Sequence, residues 1–340
     1  MGSGTLGRYY SVLGGEARAR YLSTKEAKVA VDISAPTEEL WEAHANALRV
    51  ESEDGAVDML ELKTELARRL HSKCEICERR CRARRSEGEA GHCGVLEARV
   101  TSEFLHTGEE PDLVPSYTVF FAGCTFECVY CQNWEISTRP RSGVVIPPLE
   151  MAQMIERRAG ASGGSGLRRD RSTGARNVNW VGGDPSSNLL YILQTLRECR
   201  ANIPQVWNSN MYLSEESMTL LEGVVDVYLT DFKYGNDACA SSLSNAPDYL
   251  RIVARNHLLG RAHAEMMIRH LVLPGHVECC TRPVLTWIAS NLKDVKVNVM
   301  AQYRPEHMAR AHPDISRRLR ASEYEDAIGI AEDLGLELAD

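Results

Sequence analysis

From residue 116 onward, short apolar runs rich in β-branched and aromatic residues alternate with longer amphipathic runs. The short runs are 117–123, 177–183, 204–210, 224–233, 264–275 and 294–304, and the amphipathic runs are 149–159, 188–199, 214–223, 246–259, 281–292 and 324–335. Strands that alternate with helices form βαβ units and therefore a parallel sheet. Six such units predict an α/β fold with a partial (β/α)6 barrel of the TIM type, since a closed barrel of that type has eight.

The first 98 residues have a different pattern. Weak helical patterns, such as "LELKTELARRL" at 60–70, lead into a charged segment that contains cysteines. We therefore predict a mostly helical N-terminal extension over 1–98 that carries a four-cysteine metal site, and the barrel over 99–340. A Gly/Ser/Arg-rich run at 157–176 is predicted to be a surface loop.

Composition narrows the class of function. Lys and Arg number 39 against 47 Asp and Glu, which gives a net charge of −8 and makes nucleic acid an unlikely partner. The N-terminus has no apolar core of a signal peptide, and no stretch is long and apolar enough to cross a bilayer, so we predict a cytoplasmic protein without a membrane partner. Eleven cysteines in such a protein indicate metal or redox chemistry rather than disulfides.

Three of the cysteines follow the first predicted strand. Cys124, Cys128 and Cys131 have the spacing C-x3-C-x2-C. Three thiolates can ligate three irons of a [4Fe–4S] cluster and leave the fourth iron open, and an open coordination position is what a catalytic metal needs. The spacing alone is equally compatible with a structural zinc site completed by a distant histidine, or with buried thiols.

Four other cysteines lie in the N-terminal extension. Cys74, Cys77, Cys81 and Cys93 have the spacing C-x2-C-x3-C-x11-C in a charged segment with few large apolar residues. Such a segment buries little core, so a bound metal would supply folding energy, and four thiols would make a closed site with a structural or electron-relay role. Zinc and a second [4Fe–4S] cluster both fit, and zinc is favoured because the spacing lacks a ferredoxin pattern.

The remaining cysteines are Cys199, Cys239 and the adjacent pair Cys279 and Cys280. We interpret Cys199 and the pair as small buried hydrophobic residues.

Polar or glycine residues occur at the end of every predicted strand. They are Gly123–Cys124, 182–185, 208–210, Asp231 with Lys233, Arg269–His270 and 302–304. The carboxyl ends of parallel barrel strands converge on one face, where barrel enzymes have their active sites. Ordinary polar loops would explain any one of these groups but account poorly for six in register.

Two of these stretches resemble motifs of a known family. "GCTFECVYCQN" (123–133) resembles the signature of the radical S-adenosylmethionine (SAM) superfamily, with the aromatic Tyr130 before the third cysteine, and "VGGDP" (181–185) resembles its Gly-Gly-Glu motif with Asp184 in place of glutamate. Over about residues 55–320 the chain resembles the pyruvate formate-lyase activating enzyme-like proteins of the PflX type. The resemblance implies reductive cleavage of SAM to methionine and a 5′-deoxyadenosyl radical.

The resemblance also implies roles for individual residues. Cys124, Cys128 and Cys131 would hold the [4Fe–4S] cluster, whose open iron would chelate the methionine part of SAM. Backbone at Gly182 and Gly183 and the Asp184 carboxylate would hold the ammonium, since glycines permit close approach. The remaining predicted cofactor-binding residues are Lys233 and Arg269 at the carboxylate, Tyr130 against the adenine, and Ser209, Asn210 and Asp231 at the ribose or a monovalent cation. Asn208 stands where the activating enzymes have an aspartate, which argues against the cation.

The implied chemistry sets the partners. Cleaving a sulfonium needs the low end of the range of cluster potentials, roughly −700 to +450 mV, so a ferredoxin or flavodoxin electron donor is implied. The substrate would be a protein, a peptide or a small molecule, and activation of a glycyl-radical enzyme is the version that the resemblance names. The alternatives from other classes are a non-catalytic zinc-binding protein with two structural cysteine sites and an RNA-modifying protein that uses the arginine loop and "RRCRARR" (79–85).

Overall fold

A computed structural model describes residues 4–47, 57–108, 110–160 and 174–339. The surface loop predicted at 157–176 falls mostly outside these ranges, and its residues 161–173 are not described. Within the described ranges, no helix is both long and apolar enough to span a bilayer.

The helices begin and end as follows: α1 Gly7–Gly14, α2 Arg20–Glu26, α3 Thr37–Ala47, α4 Met59–Ser72, α5 Trp134–Ser137, α6 Pro148–Arg158, α7 Leu189–Glu198, α8 Glu215–Leu221, α9 Asp237–Ser244, α10 Tyr249–His263, α11 Arg282–Asn291 and α12 Ala321–Asp333. The strands are β1 Lys28–Val29, β2 Val57–Asp58, β3 Val100–His106, β4 Ser116–Phe121, β5 Asn177–Gly182, β6 Gln205–Ser209, β7 Val227–Asp231, β8 Glu265–Leu271, β9 Lys296–Met300 and β10 Glu337–Leu338.

An eight-stranded sheet with the order β10-β9-β8-β7-β6-β5-β4-β3 forms the main body. Strands β4 to β9 are parallel and pair in chain order, which confirms the predicted six-stranded (β/α) unit. Each strand lies beside the next one in the sequence, so the sheet winds in one direction as in a barrel. Strand β3 adds an antiparallel edge and the short β10 a parallel one, and neither was predicted.

The sequence of the central strands explains their place in the sheet. Strands β6 and β7 are almost completely buried, as expected for parallel strands covered on both faces, which consist of nearly continuous apolar runs. Helix caps then set where the crossovers begin: Ser214 accepts a hydrogen bond from Ser217 N at the start of α8, and Asn236 accepts one from Cys239 N at the start of α9. The carboxyl ends of the strands therefore lead directly into short, well-defined loops.

Helix α1 closes the amino end of the barrel. Tyr9 and the preceding Leu6 are buried in one apolar cluster with Leu113, Val206 and Met267. The hydroxyl of Tyr9 accepts a hydrogen bond of 2.9 Å from Asn177 Nδ2. Because this end is filled by side chains, a ligand site is left to the opposite, carboxyl end.

Helix α4 joins the N-terminal segment to the barrel. Leu60 and Leu66 belong to the same buried apolar cluster as Leu193 and Leu221, which lie on barrel helices α7 and α8. Lys63 Nζ donates to the backbone oxygen of Thr219 at 3.1 Å. The division of the chain at residues 98 and 99 stays a prediction.

Candidate active site

A cavity of about 470 Å³ opens at the carboxyl ends of the parallel strands. Its walls include every residue predicted from the cysteine triplet and from the cofactor motifs: Cys124, Cys128, Tyr130, Cys131, Gly182, Gly183, Asp184, Ser209, Asn210, Asp231, Lys233 and Arg269. The size lies within the 300–1,000 Å³ typical of small-molecule sites. The structure thus brings together twelve residues predicted from five separate loops or strand ends.

The three cysteines lie on the loop that follows β4, and each thiol has a polar neighbour. Cys124 Sγ accepts from Phe126 N at 3.4 Å, the hydroxyl of Ser244 donates to Cys128 Sγ at 2.9 Å, and Cys131 Sγ lies 3.4 Å from Ser137 Oγ. Burial raises the pKa of Cys128 to about 11, with Lys233 acting in the opposite direction. In the absence of a metal this thiol is therefore protonated at neutral pH, and iron binding would have to displace its proton.

The spacing of the triplet is wider than a single ion requires. A tetrahedral zinc with Zn–S bonds of 2.3 Å brings its sulfurs to about 3.8 Å from one another. In the described part of the chain, one group of at least three cysteine, histidine or acidic side chains has all its ligand atoms within 4.8 Å, and it contains none of the triplet. The three thiols therefore do not form the compact group that one zinc ion requires, and the cluster of several irons stays a prediction.

Asp184 ties the end of β5 to the end of β6. Its carboxylate accepts from Ser186 N at 2.9 Å, from Ser209 Oγ at 3.0 Å and from Asn210 N at 2.9 Å. Burial raises the pKa of Asp184, while these hydrogen bonds act in the opposite direction. The hydrogen bonds hold the carboxylate in place at the cavity, and its contact with a ligand ammonium stays a prediction.

Glycines 182 and 183 are required by the packing of β5 against β4. A Cβ at Gly182, whose φ is +128°, would lie 2.2 Å from Phe121 N, and one at Gly183 would lie 2.0 Å from Gly123 O. The close approach that these glycines permit is therefore first between two segments of the chain. Their contact with SAM stays a prediction.

Asn210 links the β6 loop to the cysteine loop. Its Nδ2 donates to Thr125 Oγ1 at 2.9 Å and lies 3.8 Å from Cys124 Sγ. Its Oδ1 accepts from Tyr212 N at 3.0 Å. Ser209 and Asn210 are both at least 95% buried, and their hydrogen bonds fix the Asp184 carboxylate and the cysteine loop. Their contact with the ribose stays a prediction.

Lys233 and Asp231 form an ion pair on the cavity wall, with 2.7 Å between Nζ and Oδ2. Burial alone would lower the pKa of Lys233, but the charge and the hydrogen bond of the Asp231 carboxylate act in the opposite direction, and the pKa lies above its usual value. The lysine is therefore a permanent cation beside the triplet.

Arg269 is held by Glu110, a residue that the sequence analysis missed. The guanidinium makes a bidentate pair with the glutamate, and Nη1 lies 3.5 Å from Asn208 Oδ1. Glu110 lies in the loop between β3 and β4, not at the carboxyl end of a predicted parallel strand. A glutamate in a loop gives no sequence signal that distinguishes it from a solvated one.

Tyr130 begins a chain of hydroxyl groups that ends at the triplet. Tyr130 Oη lies 2.7 Å from Tyr234 Oη, which in turn contacts Ser244 Oγ, the donor to Cys128 Sγ. Tyr130 is 4% exposed and is one of the residues that line the cavity. Tyr234 and Ser244 were not predicted as site residues.

The four cysteines of the N-terminal segment do not line the cavity. Cys74, Cys77 and Cys93 are buried and Cys81 is exposed. Arg82 N donates to Cys74 O and Arg80 N to Cys77 O, each at 2.9 Å, so the segment forms tight turns around the first three cysteines. No three of the four sulfurs lie within 4.8 Å of one another in this described segment, so the metal site stays a prediction.

One cysteine interpretation is wrong. Cys280 is buried, but its neighbour Cys279 is exposed, because adjacent residues on a helical turn point about 100° apart and cannot both face the core. Cys199 is buried as predicted. The exposed thiol lies beside Cys239 and His276, a grouping that the sequence analysis missed although His276 is three residues from Cys279.

Comparison with known proteins identifies the superfamily of the barrel. The sequence model described as the Radical SAM superfamily matches residues 118–288. The protein MJ0674 of Methanocaldococcus jannaschii is 45% identical over 348 residues, which cover 98% of each chain. A second protein of that organism, MJ0808, is 31% identical over 101 residues, 25% of this chain and 30% of its own.

Solved structures give more distant similarities. One is Streptococcus suis SuiB bound to precursor peptide SuiA. That match has a TM-score of 0.45 and 12% sequence identity, and it covers 63% of this chain and 46% of the SuiB chain. Another is methylornithine synthase (PylB), with a TM-score of 0.44 and 12% sequence identity. That match covers 97% of this chain and 77% of the PylB chain.

Proposed function

The chain belongs to the Radical SAM superfamily, and we propose that its cavity generates a 5′-deoxyadenosyl radical from SAM and uses it to abstract a hydrogen atom from a second substrate. Enzymes of this superfamily use SAM and an iron–sulfur cluster. One observation carries the proposal: the three thiols and all nine predicted SAM-binding residues line the same cavity.

The residues of the cavity fit the two cofactors. Cys124, Cys128 and Cys131 would hold a [4Fe–4S] cluster, which when bound supplies the electron that cleaves SAM. Lys233 and Arg269 would bind the carboxylate of SAM, and the carboxylate of Asp184 would bind its ammonium. The ring of Tyr130 would contact the adenine, and Ser209, Asn210 and Asp231 would contact the ribose.

The substrate and the electron donor complete the proposal. The donor is a ferredoxin or a flavodoxin, because the cleavage needs a low potential. The substrate is a protein, a peptide or a small molecule from which one hydrogen atom is removed. Activation of a glycyl-radical enzyme is the variant that the resemblance to the PflX type supports, and an assay with such a partner would distinguish it from the others.

The alternatives have lost support. Membership in the superfamily favours an enzyme over a non-catalytic zinc-binding protein. An RNA-modifying role relied on the arginine loop at 157–176, most of which lies outside the described residues, and on the basic stretch 79–85. In that stretch Arg80, Arg82 and Arg84 form ion pairs with glutamates. Retention of tRNA that weakens with salt would restore it.

The test removes the triplet. The variant Cys124→Ala/Cys128→Ala/Cys131→Ala is purified and reconstituted anaerobically with iron and sulfide, then assayed with dithionite and SAM for 5′-deoxyadenosine. We expect the variant to form no 5′-deoxyadenosine and to contain about four irons per chain fewer than wild type. The control Cys199→Ala, which changes a buried cysteine that does not line the cavity, should keep both. Product formation by the triple variant would refute the proposal.

We also propose that Cys74, Cys77, Cys81 and Cys93 hold a second metal group. Iron that remains in the triplet variant and is lost on addition of Cys77→Ala would identify a second cluster. Zinc that is lost in Cys77→Ala alone would identify a single ion. If Cys77→Ala loses neither metal, the segment is not a metal site.

A further inference from the structure

Four ligand side chains converge outside the cavity. The ligand atoms of Cys239, His276, Cys279 and Cys280 all lie within 4.8 Å of one another. Cys239 is in the first turn of α9, after β7, and the other three are in the turn that follows β8. None of them lines the active-site cavity, and the proposed function makes no use of them.

The distances are those of a site for a single ion. The sulfur of Cys279 lies 4.0 Å from that of Cys239 and 3.9 Å from that of Cys280. A tetrahedral zinc with Zn–S bonds of 2.3 Å requires about 3.8 Å between sulfurs, and with a Zn–N bond near 2.0 Å about 3.5 Å between sulfur and nitrogen. His276 Nδ1 lies 3.6 Å from Cys239 Sγ and 3.3 Å from Cys279 Sγ.

The surroundings orient the ligands toward one point. Asn236 Oδ1 accepts from Cys239 N at 2.8 Å, and its Nδ2 donates to Cys279 O at 2.8 Å, so one side chain holds both loops. His276 is 9% exposed, and its Nε2 is buried without a hydrogen-bond partner in the described structure. The ring atom that faces the thiols of Cys239 and Cys279 is Nδ1, so a ring proton on Nε2 leaves Nδ1 as the ligand atom.

We propose that Cys239, His276, Cys279 and Cys280 bind one Zn²⁺ ion with tetrahedral geometry. Three sulfurs and one imidazole nitrogen are a common ligand set for structural zinc, and a set of four protein ligands leaves no open position for catalysis. The ion cross-links the loops that follow β7 and β8, and the thiols release their protons to water when it binds.

The ion would act on the active site through helix α9. The helix begins two residues before Cys239 and ends at Ser244, whose hydroxyl donates to Cys128 Sγ. Fixing the first turn of this helix to the β8 loop therefore fixes the position of a donor to the triplet. The proposal does not depend on the identity of the group that the triplet holds.

The test measures zinc per chain. Wild type, Cys239→Ser, Cys279→Ser and the control Cys199→Ser are purified anaerobically, and zinc and iron are determined by mass spectrometry. We expect both site variants to contain about one zinc less than wild type and the same iron, while the control is unchanged. Cys279 is exposed, so Cys279→Ser tests the site even if Cys239→Ser does not fold.

A second measurement uses cobalt as the probe. Wild-type protein loaded with Co²⁺ should show the intense visible bands of a tetrahedral cobalt–thiolate site, and Cys279→Ser should lose that part of the spectrum. Equal zinc and equal cobalt spectra in wild type and Cys279→Ser would overturn the proposal. A peptide mass that shows a disulfide between Cys239 and Cys279 in the anaerobic protein would overturn it as well.

Discussion

Arg269 and Glu110 form a bidentate ion pair in the wall of the cavity, with 2.6 Å from Nε to Oε1 and 2.7 Å from Nη2 to Oε2. Glu110 is 3% exposed and also accepts from Asn298 Nδ2 at 3.0 Å. Two residues further on, Asp112 pairs with Lys296 of β9 at 2.7 Å. The loop between β3 and β4 thus ties one side of the sheet to β8 and β9 on the other side, across the gap that an open barrel leaves.

The first prediction concerns the stability of this pair. Glu110→Gln keeps the volume but removes the carboxylate charge from this buried ion pair, and breaking a buried pair costs about 3–5 kcal/mol. We expect the free energy of unfolding, measured by urea denaturation, to fall by that order. Glu97→Gln is the control, because Glu97 pairs with Arg99 at the surface and such pairs contribute about 0–1 kcal/mol. Equal losses in the two variants would contradict the prediction.

The second prediction assigns Lys233 to SAM. Lys233→Ala should weaken SAM binding by about 1.5–3 kcal/mol, the contribution of a hydrogen bond to a charged group. The control is Lys296→Ala, which removes a lysine from a similar ion pair with Asp112 outside the cavity lining. Anaerobic calorimetry gives both affinities. Unchanged SAM binding together with lost turnover would place Lys233 on the substrate side.

Arg269 needs a different variant for the same question. Arg269→Ala would leave Glu110 buried and unpaired, so a loss of affinity could not be separated from a loss of structure. The double variant Glu110→Gln/Arg269→Gln removes both charges. Compared with Glu110→Gln alone, it should lose a further 1.5–3 kcal/mol or so of SAM affinity if the guanidinium binds the carboxylate.

The third prediction concerns the hydroxyl of Ser244. A donor to a cluster sulfur stabilises the more negative, reduced state, and hydrogen bonds to the sulfurs help to set cluster potentials. Ser244→Ala should therefore make the midpoint potential of the reconstituted protein more negative, as measured by a redox titration followed by electron paramagnetic resonance. Ser241→Ala changes an exposed serine on the same helix and should leave the potential unchanged. The same potential in both variants would show that the contact has no effect on the cluster.

Much of the barrel could be predicted because its pattern is local. Apolar runs such as 117–123 and 224–233 are long enough to indicate buried strands, and Ser214 marks the start of a helix. Strand β3 was missed because only one of its seven residues is buried, so its sequence has no continuous apolar run. Strand β10 has two residues and gives no pattern at all.

The site residues that could be predicted are those at the ends of the parallel strands, because a position at a strand end fixes a position in the barrel. Asp184, Asp231 and Arg269 lie at or near strand ends, and the parallel sheet brings them to one cavity. Contacts between distant residues could not be read in this way. The pairing of Glu110 with Arg269 joins residues 159 apart, and Cys239 contacts Cys279, which is 40 residues away.

Lys63 provides the basis for the last prediction. Lys63 lies on α4 and its side chain is completely buried, with Nζ 2.9 Å from His44 Nε2. Burial lowers the pKa of Lys63 to about 7, and burial together with Lys63 lowers the pKa of His44 to about 3. The histidine therefore stays neutral near pH 7, and the lysine is the group of the pair that titrates.

The sign of the pH dependence follows from the protons bound in each state. An unfolded lysine has a pKa of about 10.4, so between about pH 7 and 10.4 the unfolded chain binds more protons than the folded one, and Lys63 makes the free energy of unfolding rise with pH. The total change is on the order of a few kcal/mol. Lys63→Met should remove this slope, while Lys293→Met, at an exposed lysine, should keep it. Urea denaturation at several pH values from 7 to 10 gives the free energy of unfolding of wild type and both variants. If this free energy depends on pH in the same way in wild type and in Lys63→Met, Lys63 keeps its ordinary pKa in the folded protein.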